Sequence, residues 1–63
     1  MNHDQQTLLS AYDETIKHLY STLFDQYAQA AGDERQEEEA EQRFTIGIVL
    51  ARRARDRAIT LST

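Results

Sequence analysis

Glu14 and His18 stand four residues apart, the spacing that turns two side chains to one side of a helix. A carboxylate and an imidazole so placed can share a divalent cation. Helical bundles that hold metals, however, use Glu-x-x-His spacing with several inward carboxylates, and the residue three before His18 is Thr15. The pair reads as a surface histidine beside an acid, so no metal and no cofactor is expected. Nucleophilic catalysis fares no better. There is no cysteine and no glycine-rich loop to hold a phosphate. Ser10 and Ser21 read as ordinary helix-surface residues, and the chain is expected not to be an enzyme.

Two further groups have binding chemistry. Tyr20, Phe24 and Tyr27 recur at helical spacing and can stack on bases, although such a strip more often belongs to a core with its phenol oxygens reaching solvent. Arg52, Arg53, Arg55 and Arg57 fall within six positions. As a nucleic-acid contact they would draw most of their affinity from phosphates. As a local arrangement they would pair within the chain, with Asp13 and Glu14 lying beside Arg52 and Arg53 and with Asp56 taking Arg52 at i, i+4.

Length and composition bound these readings. The 63 residues make one small domain, and a chain of this size buries only about 60% of the surface its unfolded form exposes. Small domains offset that weakness with disulfides, a metal or self-association. With no cysteine and only His3 and His18 as nitrogen ligands, self-association is the remedy left. The absence of cysteine fits a reducing compartment, no basic start leads into an apolar leader, and the longest apolar run, Ile46 to Ala51, is far short of the roughly 20 residues that span a bilayer. A cytoplasmic protein with no membrane contact is expected. The net charge of −4 is too acidic for a general nucleic-acid binder. It is also unevenly spread, since the acids crowd before residue 43 and five of the six arginines lie from residue 43 onward.

These side chains need elements to position them, and the pattern predicts two helices. Leu8, Tyr12, Ile16, Leu19, Leu23, Tyr27 and Ala30 recur every three or four residues, with Leu9, Tyr20, Phe24 and Ala31 widening the apolar face. This predicts a first helix over about 4–31. Gly32 suits the left-handed residue that ends a helix, and Asp33 with Gln36 suits the cap of the next, so residues 32–33 form the turn. A second helix is predicted over about 34–60, with glutamates near its positive end and arginines toward its negative end, both favoured by the helix dipole. Its seam, Ala40, Phe44, Gly47, Ala51, Ala54, Ala58 and Leu61, is mostly small, so the bulky face of the first helix can approach closely. The expected fold is all-α, an antiparallel two-helix hairpin that occupies residues 1–63 as a single domain.

The stretch FTIGIVLARRARDR, residues 44–57, is apolar on every side before it turns basic. Apolar residues beyond a helix's own seam are normally covered by something. The pattern complements itself. If the second helix runs antiparallel to its copy about a two-fold near residue 48, Glu41 meets Arg55, Glu39 meets Arg57 and Ile46 meets Leu50. This is what an isologous contact requires. The expected interface is therefore Ile46, Ile48, Val49, Leu50, Glu39, Glu41, Arg55 and Arg57, and two hairpins joined there make a four-helix bundle. The functional expectation is a non-enzymatic homodimer that works by protein contact, as an adaptor, assembly factor or regulator. The alternative is a dimeric nucleic-acid-binding regulator using Arg52, Arg53, Arg55 and Arg57. A third arrangement has a different protein covering Ile46 to Leu50.

Overall fold

In the computed structural model, which describes residues 2–63, the chain is a hairpin of two α-helices, α1 (His3–Ala30) and α2 (Glu34–Leu61), each of 28 residues. The predicted boundaries hold to within one residue. Helix α1 begins at a capping box that the periodicity did not reveal. The Asn2 side chain accepts from the Gln5 amide at 2.7 Å, and the Gln5 side chain accepts from the Asn2 amide at 3.4 Å, so two otherwise orphaned donors are satisfied.

The turn is built differently from the expectation. Ala31, not Gly32, is the left-handed C-cap of α1, at φ 50° and ψ 42°, and Gly32 follows with φ +87°. The link reverses the chain with two successive residues at positive φ. Glycine adopts that conformation freely and alanine adopts it under strain. The Asp33 amide closes the turn on the Ala30 carbonyl at 3.0 Å, while its side chain accepts from the Gln36 amide at 3.1 Å and so caps α2.

Glu34 and Glu37 sit in the first turn of α2, where its dipole stabilises them. The expected benefit at the other end is largely missing. No basic residue lies in the last turn, and the dipole's influence fades within that turn, so it does not account for Arg52 to Arg57. The helix closes on Ser62, whose amide reaches the Ala58 and Ile59 carbonyls and whose hydroxyl donates to Ile59 at 2.9 Å.

The seam combines large residues from α1 with small ones from α2, as expected. Leu19 packs on Gly47 so closely that a Cβ there would lie 2.7 Å from Leu19 Cδ2. Even so, among the described residues only Ala40, at 1% exposure, and Ala30, at 6%, are buried. Leu8, Tyr12, Ile16, Leu19 and Leu23 on one side, and Phe44, Ala51 and Ala58 on the other, remain half-buried, whereas Ala54 and Leu61 are exposed. Two helices touching along one line leave most of each cylinder uncovered, and the dimensions follow from that. The molecule measures 46 × 15 × 10 Å with a radius of gyration of 14.6 Å, against about 10.6 Å for a globular chain of this length.

Candidate functional site

Three contacts set the register of the antiparallel pair. The phenol of Tyr27 donates to the Glu41 carboxylate near the turn, Leu19 meets Gly47 in the middle, and toward the open end the Arg55 guanidinium lies 4.5 Å above the Tyr12 ring. Moving seven residues along each helix from the Tyr27–Glu41 pair puts Tyr20 level with Ile48, on the same side of the hairpin. A further seven reach Asp13 and Arg55. One broad surface therefore carries Asp13, Tyr20 and Tyr27 from α1 and Glu41, Ile48 and Arg55 from α2, with Phe24 beside them.

The opposite surface has a different character. Gln26 and Gln29 of α1 line an open groove there with Gln36, Glu39 and Arg43 of α2. Helical geometry places Ile46, Leu50, Arg53 and Arg57 on this side of α2, with Val49 at its outer edge. The interface residues expected from sequence are thus divided. Glu41, Ile48 and Arg55 share the aromatic surface, whereas Glu39, Ile46, Leu50 and Arg57 share the other. Ile46 and Leu50, at 59% and 55% exposure, stand well out in solvent, as does Val49, while Ile48 is half-sheltered within its own hairpin.

The charged groups pair in a pattern that departs from the sequence expectation. Asp56 is bound by Arg55, at 2.9 Å to Nε, instead of by Arg52. Laid over Tyr12, the Arg55 guanidinium has its Nε within reach of the adjacent carboxylate. The bond to Asp56 raises the Arg55 pKa further above its already high value. Glu14 is bound by Lys17 at 3.2 Å and does not meet Arg52 or Arg53. Glu39 takes both Arg35 and Arg43, each at 3.6 Å. The pairs of Glu14 and Glu39 are exposed, so each contributes about 0–1 kcal/mol. Of the four clustered arginines, Arg55 is committed to an aromatic and an acid, while Arg52, Arg53 and Arg57 are exposed.

Among the described residues, Tyr27 and Glu41 form the one side-chain hydrogen bond between the helices. The hydrogen bond to Glu41, reinforced by desolvation and by the negative charges of Glu41 and Glu37, holds the Tyr27 phenol above its ordinary pKa of 10.0. Neither this bridge nor the Arg55–Tyr12 stack was legible from one helix's periodicity. Both follow once the turn is placed, because partners then lie equidistant from it. Among the described residues no group of three or more metal-ligating side chains comes together, and no helix is long and apolar enough to cross a membrane. The hydroxyls of Thr7, Thr15, Thr45 and Thr60 donate to carbonyls four residues back along their own helices, which leaves them occupied by the backbone. Compared with known proteins, the chain matches no family model, no curated protein and no solved structure.

Proposed function

We propose that the protein is a non-enzymatic helical hairpin that pairs with a second copy to make a four-helix bundle, and that it acts by protein contact as an adaptor, assembly factor or regulator. The observation that carries this reading is surface area. The hairpin exposes 4908 Å², whereas a folded monomer of 7.3 kDa is expected to expose about 4,200 Å². The excess of roughly 700 Å² is what an elongated two-helix molecule leaves uncovered, and it is surface that a second copy can cover.

The composition of the exposed surface supports the same reading. Tyr20, Phe24, Tyr27, Ile46, Val49 and Leu50 are all exposed, and large side chains of this kind are unusual on a monomer unless something docks on them. Both surfaces of the hairpin have an apolar centre with an acid toward the turn and an arginine toward the open end, as pairing of identical copies requires. Burial of those that the contact covers would drive association at roughly 1.5–3 kcal/mol for each one fully covered, and the charges would set the direction.

Sedimentation equilibrium at micromolar concentrations tests the proposal. A dimer of twice the chain mass is expected. A monomer that keeps its full helicity by circular dichroism at those concentrations would overturn it.

A further inference from the structure

The two surfaces of the hairpin are not equally suited to a second copy. We infer that two hairpins meet face to face through the aromatic surface, about a two-fold that runs across that surface level with Tyr20 and Ile48 and sets every helix antiparallel to its neighbours. The inference rests on the dimer proposed above and names the face that forms it.

Rotation about such an axis lays α2 on its copy, so that Ile48 meets Ile48 and Glu41 meets Arg55 of the other chain. It also lays α1 on its copy. There Tyr20 meets Tyr20, Phe24 meets Ile16, and Asp13 lies opposite Tyr27. The register already seen within one hairpin generates these pairs without adjustment, because Asp13, Tyr20 and Tyr27 are spaced by sevens opposite Arg55, Ile48 and Glu41, also spaced by sevens. An even seven-residue spacing keeps side chains in one stripe along a helix. All four helices then border one core, and Tyr20 and Phe24, each 62% exposed in the single hairpin, lie inside it.

The same operation on the opposite surface fails twice. It sets Arg43 against Arg53 of the other copy, like charge on like charge, with Glu39 already shared between Arg35 and Arg43. On α1 it covers Gln26 and Gln29, whose amides would lose water with no apolar gain. Ile46, Val49 and Leu50 stay on the outside of the bundle.

The absence of cysteine makes the test clean. In the full chain, Tyr20→Cys is expected to be joined into a covalent dimer by a short bismaleimide, and Leu50→Cys is not. Phe24→Glu is expected to weaken association on the order of 100-fold or more, since its charge would be buried without a partner, whereas Leu50→Glu leaves the dimer intact. Both positions are exposed in the hairpin, so neither change clashes within it. Leu50→Glu should keep its helicity at micromolar concentration, whereas Phe24→Glu should lose helicity on dilution and regain it at concentrations high enough to restore the dimer, which circular dichroism checks. As a second arm, Glu41→Arg and Arg55→Glu should each weaken the dimer and together restore it. If Leu50→Glu dissociates the protein while Phe24→Glu does not, the face is wrong and the dimer stands. If the unaltered chain is a monomer, both readings fall.

Discussion

Gly47 shows how a single residue sets the distance between the helices. A Cβ there would meet Leu19 Cδ2 at 2.7 Å, Cδ1 at 3.3 Å and Cγ at 3.6 Å, so turning one methyl aside brings the other in. Glycine to alanine within a helix ordinarily gains about 1 kcal/mol. Here overpacking of about 1–3 kcal/mol opposes it, and Gly47→Ala is expected to lower the melting temperature. Combining it with Leu19→Ala should cost less than the two changes added, which thermal unfolding of all three variants would reveal. The turn offers the opposite case. Ala31→Gly removes left-handed strain of about 1 kcal/mol, part of which the looser unfolded chain offsets, so a small rise in stability is expected. Gly32→Ala, at φ +87°, should lower stability by about 1 kcal/mol although open space surrounds it. Tyr27 predicts a pH dependence. Its pKa is raised by the bond to Glu41 and by nearby negative charge. The stability it contributes is therefore complete below about pH 10, the ordinary tyrosine value, and is lost as pH rises through the higher folded value. Tyr27→Phe should remove that alkaline component from the melting profile, while a profile unchanged by the substitution would show that the bridge adds nothing.

At the scale of the elements, what was legible in the sequence follows from which interactions are local. Helix periodicity, the turn at Gly32 and the Asp33 cap depend on residues a few positions apart, and the structure places both helices within a residue of the expected ends. The large-against-small seam was legible too, because a run of alanines with Gly47 facing leucines and tyrosines is a one-dimensional pattern. Two kinds of feature were not. The Asn2 cap was hidden because the apolar rhythm only begins at Leu8, although Asn2 followed by Gln5 carries the signature. Asn2→Ala is expected to cost about 1 kcal/mol and to fray the first turn of α1, which amide hydrogen exchange at Gln5 and Gln6 would detect. The division of the expected interface into two surfaces was also hidden. On one helix, Glu41 and Glu39 are flanks of a common wheel. Only the position of α1 shows that Glu41 looks toward aromatics and Glu39 toward glutamines.

For the molecule as a whole, two 28-residue helices that bury only Ala30 and Ala40 have little to hold them together, since most helix stability in proteins comes from packing of the apolar face. A bundle of two hairpins changes this by adding an interface to every helix, and folding then becomes inseparable from association. Its thermal behaviour can be put in numbers. At roughly 0.7 kcal/mol per residue near 60 °C, two 63-residue chains unfold with an enthalpy of about 90 kcal/mol. For a dimer that melts directly to two unfolded chains, that enthalpy makes the midpoint rise by about 6 °C for each tenfold increase in protein concentration. A hairpin that is stable alone would show no such rise, since neither its folded nor its unfolded state changes in number. Melting curves over a hundredfold range should therefore separate by about 12 °C if the pairing holds, and superimpose if each chain folds by itself. Phe24→Glu sharpens the comparison. Should the aromatic surface be the contact, this variant loses the concentration dependence along with most of its cooperativity, because the two helices left behind share a seam with almost nothing buried in it.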